Sequence, residues 1–245
     1  MELFSSKADF STESRFERYK MIIEVNGIEL FYNKSGQGAP IILLHGNGQD
    51  HRIFKKMIKR MSDKYTVYAI DSRDHGKSSK VKHLDYNSKM EDVAEFIRKL
   101  EIKKPVLYGF SDGGIIGMLL AIRHPDILEK LIISGANTHP DGIKRFAFTL
   151  IKTSYFLTRS KKLNLMLTQP NISAEELNTI VTPTLVLAGH RDVIKEENTR
   201  FIAKNIPGSE LRILKGENHA SYVLDNDKLY DRIMMFLEGG DNNQK

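Results

Sequence analysis

Short aliphatic and β-branched runs alternate with longer amphipathic stretches along this chain, and that alternation constrains the fold more than any other feature. The runs are Ile41–Leu44, Tyr65–Ile70, Val106–Tyr108, Leu131–Ser134, Thr184–Ala188 and Glu210–Leu214. Runs of this length suit strands buried on both faces of a sheet. Helical patterns lie between them. Ser88 to Leu100 sets Met90, Val93, Ala94, Ile97 and Leu100 on one stripe, with Ser88 and Glu91 spaced as a capping box. Ile115 to Arg123 is apolar almost all round and stops at His124-Pro125, as a helix packed on a sheet does. Glu196–Asn205 and Lys228–Glu238 complete the series. Met21–Val25 and Ile28–Tyr32 flank Asn26-Gly27, a favoured two-residue hairpin turn, so the sheet opens with an antiparallel pair. The pattern predicts an α/β fold with a mostly parallel, eight-stranded sheet flanked by helices.

One segment breaks the alternation. About fifty residues with helical character separate Ser134 from Thr184, too many for a structureless loop. Aromatic and aliphatic residues are dense there, among them Phe146, Phe148, Leu150, Ile151, Tyr155, Phe156 and Leu157, and Ser173 and Glu176 have capping-box spacing. No repeat and no Gly/Ser/Pro-rich linker divides the chain. We therefore expect one domain over residues 1–245, with a short helical cap inserted at about 138–180.

Composition excludes several classes. With 40% hydrophobic and 28% charged residues, the chain is not disordered or collagen-like. The absence of cysteine excludes a disulfide framework, thiolate metal sites and a cysteine nucleophile. The formal charge is +6, but the lysines are spread along the chain, tryptophan is absent and no basic run is interleaved with stacking aromatics. The charge reads as a solubility feature, and no nucleic-acid partner is expected. The opening MELFSSKADFSTESRFERYK lacks an apolar signal core, and no stretch approaches the ~20 apolar residues that cross a bilayer. A cytoplasmic protein with no stable membrane insertion is expected.

Gly109-Phe110-Ser111-Asp112-Gly113 follows a strand pattern and precedes the apolar helix, a G-x-S-x-G in strand–turn–helix context. A nucleophile at the top of a strand must turn sharply, so its neighbours must be small. Its hydroxyl then lies where free N–H groups and the helix dipole favour developing negative charge. A serine needs a histidine to take its proton, and the histidine needs a carboxylate to fix its tautomer. Of eight histidines only His219, in Gly216-Glu217-Asn218-His219-Ala220, follows the last strand pattern. Asp192 follows the preceding one, so both end at the C-terminal sheet edge where open α/β sheets place their sites. His45-Gly46-Asn47-Gly48, after Ile41–Leu44, is a turn free of bulk that points a backbone N–H into such a site. The N–H groups of Asn47 and Asp112 are the expected oxyanion hole, with Gly48 as the lesser candidate for the first. Phe110, with Phe148 and Phe156 of the cap, is the expected acyl-pocket lining, against the alternative that these rings merely pack.

From about Met21 to Leu237 the sequence resembles the α/β-hydrolase superfamily. The matching pieces are HGNGQ at 45–49, DSRDHGKS at 71–78, GFSDGG at 109–114, PTLVLAGHRD at 183–192 and GENHA at 216–220. The resemblance implies the α/β-hydrolase fold and a triad in the order Ser111, Asp192, His219. It also implies that Asp71, Arg73 and His75 belong to a structural turn. The expected activity is hydrolysis of carboxylic esters or related small acyl compounds through an acyl-enzyme on Ser111, with no cofactor and no metal. Carbon–carbon bond hydrolysis or cofactor-free peroxidase chemistry on the same triad are alternatives, as is a ligand-binding receptor with a vestigial triad. The Asp112 carboxylate has two readings, capping of the following helix or recognition of an ammonium or hydroxyl group on the acyl portion.

Overall fold

A computed structural model describes residues 19–224 and 226–239, so most of the opening segment read above for a signal lies outside the described residues. Eight strands form one sheet: β1 (Tyr19–Val25), β2 (Ile28–Ser35), β3 (Ala39–Leu44), β4 (Tyr65–Ile70), β5 (Val106–Phe110), β6 (Lys130–Ser134), β7 (Thr184–Arg191) and β8 (Glu210–Asn218). Their spatial order is β1-β2-β4-β3-β5-β6-β7-β8. The β1–β2 and β2–β4 pairs are antiparallel and the others parallel. Asn26 and Gly27 both have positive φ (47° and 75°), the backbone a two-residue turn between twisted strands requires.

Among the described residues eight α-helices accompany the sheet: α1 (Lys55–Met61), α2 (Tyr86–Lys99), α3 (Asp112–Arg123), α4 (Arg145–Thr158), α5 (Lys161–Thr168), α6 (Ala174–Asn178), α7 (Glu196–Asn205) and α8 (Tyr230–Leu237). Side chains of a strand alternate between faces, and the core divides accordingly. Ile42 and Leu44 pack with residues of α2, α3 and α7, while Ile41 and Leu43 pack with residues of α1 and α8.

Three local readings change. Helix α1 was not foreseen, although Phe54, Met57, Ile58 and Met61 make the i, i+3, i+4, i+7 stripe that buries it. Helix α2 starts two residues earlier than the Ser88 pattern, because Asp85 is the cap: its carboxylate accepts the Ser88 N–H at 2.7 Å. Helix α3 starts at Asp112, directly after the turn. The capping box of Ser173 and Glu176 forms as spaced, at the head of α6.

Between β6 and β7 lie α4, α5 and α6. Helix α4 has no buried residue, and Leu165 is the one buried residue of α5. Register places Leu44 of β3 beside Gly109 of β5, so the turns leaving these two strands emerge side by side. From β3 the chain proceeds to one side of the sheet and from β5 to the other. That switch point opens a crevice at the strands' C-terminal ends.

Candidate active site

Ser111 sits between β5 and α3 with φ 53° and ψ −114°, a conformation L-residues rarely adopt. The surroundings hold it there. Its N–H donates to the Ser134 carbonyl at 2.8 Å, and its carbonyl accepts from Gly114 and Ile115. The small neighbours are a steric necessity: a Cβ on Gly109 would collide with the Gly113 carbonyl, and one on Gly113 with the Leu44 carbonyl.

The loop after β8 brings His219 over this turn. Its Nδ1 lies 2.6 Å from Asp192 Oδ1 and its Nε2 3.2 Å from Ser111 Oγ. A carboxylate only accepts, so Nδ1 carries the proton and Nε2 is left as an acceptor toward the hydroxyl. Asp192 is buried at the end of β7, where its Oδ1 also accepts the Ile194 N–H at 2.9 Å. The Tyr222 hydroxyl approaches Oδ2 at 3.5 Å. Phe110 supports the imidazole from behind, ring centroids 5.0 Å apart. Gly135 leaves room for it, since a Cβ there would stand 3.0 Å from two atoms of the His219 ring.

The turn after β3 lies against the serine: a Cβ on Gly46 would come within 3.1 Å of Ser111 Cβ. Gln49 closes this turn by accepting the Gly46 N–H at 3.1 Å. Among the described residues, no group accepts a hydrogen bond from the backbone N–H of Asn47 or of Asp112. Side chains link the two residues, Asn47 Nδ2 donating to Asp112 Oδ2 at 3.2 Å.

That carboxylate is fully engaged. Lys89 Nζ donates to Oδ2 at 2.8 Å, and the Tyr86 hydroxyl donates to Oδ1 at 2.7 Å. Burial alone would raise the Asp112 pKa, but the Lys89 charge and the hydrogen bonds from Lys89 and Tyr86 hold it below the usual carboxylate range. Burial pushes the Tyr86 hydroxyl well up, and the neighbouring Asp112 charge adds to this. The Lys89 ammonium thus already occupies this carboxylate, which also lies in the first turn of α3, where the helix dipole favours an acid. Neither sequence reading of Asp112 anticipated this ion pair. A signal existed: Lys89 falls between Tyr86 and Val93 on the buried side of α2, and a buried lysine demands a carboxylate.

The turn after β4 is occupied structurally. Asp71 accepts from the backbone N–H and Nδ1 of His51 and from the Lys77 N–H. Arg73 makes a two-pronged pair with Asp92, both contacts at 2.6 Å. His45 donates from Nδ1 to the Gly46 carbonyl and accepts the Ser72 N–H at Nε2, which requires the neutral ring. Burial lowers its pKa to about 4. Burial, with the nearby Lys89 charge, lowers His75 to about 3.

The cavity against Ser111 measures about 30 Å³, and its apolar lining includes Ile143, Ile151, Met166 and Val193. None of the three expected phenylalanines lines it. Phe110 is sealed behind His219 and Tyr222, Phe148 is half-buried outside the lining, and Phe156 is 69% exposed on the outer side of α4. A larger groove of about 520 Å³ lies elsewhere, along Asn33, Asp50, His51, Arg52 and Asp71. Asp50, His51 and Asp71 present ligand atoms within 4.8 Å of one another. They are spent otherwise, His51 on Asp71 at 2.7 Å and Asp50 on Arg52 at 2.6 Å.

Comparison with known proteins places this geometry in context. A family model for the alpha/beta hydrolase fold matches residues 39–159. The proline iminopeptidase PfmaB of Pestalotiopsis fici is 23% identical over 88% of this chain and 98% of its own. The human serine hydrolase BPHL is 26% identical over 88% of this chain and 85% of its own. Among solved structures, an esterase from Exiguobacterium antarcticum superposes with a TM-score of 0.79 at 20% identity, covering 90% of this chain and all of the other, a likeness of fold.

Proposed function

The chain belongs to the α/β-hydrolase superfamily, and on that premise we propose that it is a serine hydrolase cleaving carboxylic esters or related small acyl compounds. The observation that carries this reading is the chain of contacts from Ser111 Oγ to His219 Nε2 and from Nδ1 to Asp192. In the first step Ser111 Oγ bonds to the acyl carbon as its proton passes to His219 Nε2. The oxyanion of the tetrahedral intermediate accepts from the N–H groups of Asn47 and Asp112, which lack other acceptors among the described residues. The carbon–oxygen bond to the leaving group breaks, and His219 returns its proton to the departing alkoxide. Water then attacks the acyl-enzyme, His219 takes the water proton, and Ser111 leaves with that proton restored. Asp192 keeps the imidazole in the productive tautomer and stabilises the imidazolium.

Asp112 acts here through its backbone alone, its carboxylate being held by Lys89 and Tyr86. An uncharged acyl portion fits the pocket better than one carrying an ammonium. Fluorophosphonate labelling tests the assignment: Ser111 is modified, and Ser111→Ala loses both label and turnover of p-nitrophenyl esters while remaining folded. Labelling that survives in Ser111→Ala removes Ser111 from the role. A panel of esters of graded acyl length, with products identified by mass spectrometry, then defines the substrate class.

A further inference from the structure

The excess of positive charge is not evenly distributed. Residues 142–174 contain Lys144, Arg145, Lys152, Arg159, Lys161 and Lys162 and no Asp or Glu, so the rest of the chain is balanced and this one segment carries the whole net charge of +6. Its main element is α4. At 100° per residue, Phe146, Leu150 and Leu157 fall within an arc of about 40°. They are 77%, 52% and 75% exposed. Exposed Phe156 lies to one side of this stripe, past Thr149 and Thr153, and beyond it project exposed Arg145 and Lys152, which have no carboxylate partner among the described residues. Arg159 lies over the rings of Tyr155 and Phe156. The opposite face of the same helix, at Ile151, closes the cavity over Ser111.

We propose that the outer face of α4 is a docking surface for an anionic lipid bilayer. An apolar stripe with cations along one side matches what such an interface offers, acyl chains to bury against and negative headgroups beside them. A second copy of this chain is the wrong occupant, because it would bring the same concentration of positive charge against itself. A nucleic acid would satisfy the cations but give Leu150 and Leu157 nothing to bury against. The contact is peripheral: among the described residues no helix is long and apolar enough to cross a membrane. It does not depend on which bond Ser111 breaks.

Sedimentation of the full chain with vesicles tests the proposal. Binding is expected to equimolar phosphatidylglycerol and phosphatidylcholine, with little to phosphatidylcholine alone, and raised salt should release it. Arg145→Glu with Lys152→Glu, and separately Leu150→Ser with Leu157→Ser, should each lower the partition coefficient by about tenfold or more. Lys103→Glu, in the loop before β5 at the other edge of the sheet, should leave it unchanged. Far-ultraviolet circular dichroism and the thermal midpoint check that each variant stays folded. The proposal fails if anionic vesicles do not bind, or if Lys103→Glu weakens binding as much as the α4 variants. It also fails if sedimentation velocity shows a dimer that the Leu150→Ser, Leu157→Ser variant dissolves.

Discussion

Beneath the cavity, Lys89 is held by Asp112, Asp112 also by Tyr86 and Asn47, and Asp192 by His219 and Ile194; above it, α4 passes over without burying a single residue. The floor is held by directional bonds between buried groups, and the roof by partial contacts of half-exposed side chains. Breaking the floor strands buried charges, and α5 is tied down too, its Lys162 carbonyl accepting from Asn47 Nδ2 at 3.1 Å and Lys161 pairing with Asp74 at 2.7 Å, so α4 alone has little to forfeit. The cavity between them, at about 30 Å³, has the volume of roughly one water. Under the proposed function an ester needs more room than this, and of the elements over the cavity α4 is the one without a buried residue.

The largest expected effect tests the floor's chemistry. His219→Ala lowers kcat/KM for a p-nitrophenyl ester by roughly 10⁴-fold or more, with the thermal midpoint little changed. Near wild-type turnover would remove His219 from the mechanism. Next comes the ion pair under the oxyanion turn. Lys89→Met leaves Asp112 charged and buried, and should cost roughly 3–5 kcal/mol in denaturant unfolding. The double variant Lys89→Met, Asp112→Asn should recover a large part of that loss. If it does not, packing rather than charge sets the effect.

A smaller effect concerns pH. The folded chain holds His45 near pKa 4 and His75 near 3, below the ordinary value of about 6.5. The unfolded chain therefore binds these protons first, so the stability they contribute is full above about pH 6.5. It drains away as pH falls toward 4, by up to a few kcal/mol in all. Unfolding midpoints in urea from pH 7 to pH 4 measure this, and a His45→Asn variant should show a shallower decline. The smallest effects belong to the roof. Phe146→Ser should change stability by no more than about 0.5 kcal/mol. Met166→Ala should shift preference toward longer acyl chains, and Phe156→Ser should not. A shift at Phe156 equal to that at Met166 would mean that the outer side of α4 reaches the substrate.

Period and punctuation carried much of the fold. The hairpin is announced by Asn26-Gly27, each strand by a run of apolar residues, and α6 by Ser173 and Glu176, because these signals act over a few neighbouring residues. The proximity of Ser111, Asp192 and His219 followed from a topological rule, that loops leaving parallel strands gather at one edge. Partnerships between distant elements were not legible. Lys89 on α2 and Asp112 at the head of α3 are joined only by packing, and no local pattern states which buried lysine meets which carboxylate. Pocket lining was misjudged for a related reason. Phe156 and Ile151 belong to the same helix, and only its rotation about its own axis decides which of them faces inward.

The distribution of the proposed triad along the chain has a consequence during synthesis. Ser111 is translated with β5, but its base arrives on the loop after β8, more than a hundred residues later. Until that last strand docks beside β7, a nascent chain displays the serine in its strained turn with no group to take its proton. On the proposed triad such a chain lacks its general base, and so does any fragment released before β8. Activity on that triad thus reports the arrival of β8 and the loop after it: the order of the residues couples the first turnover to a late long-range step of folding, with α8 still to follow.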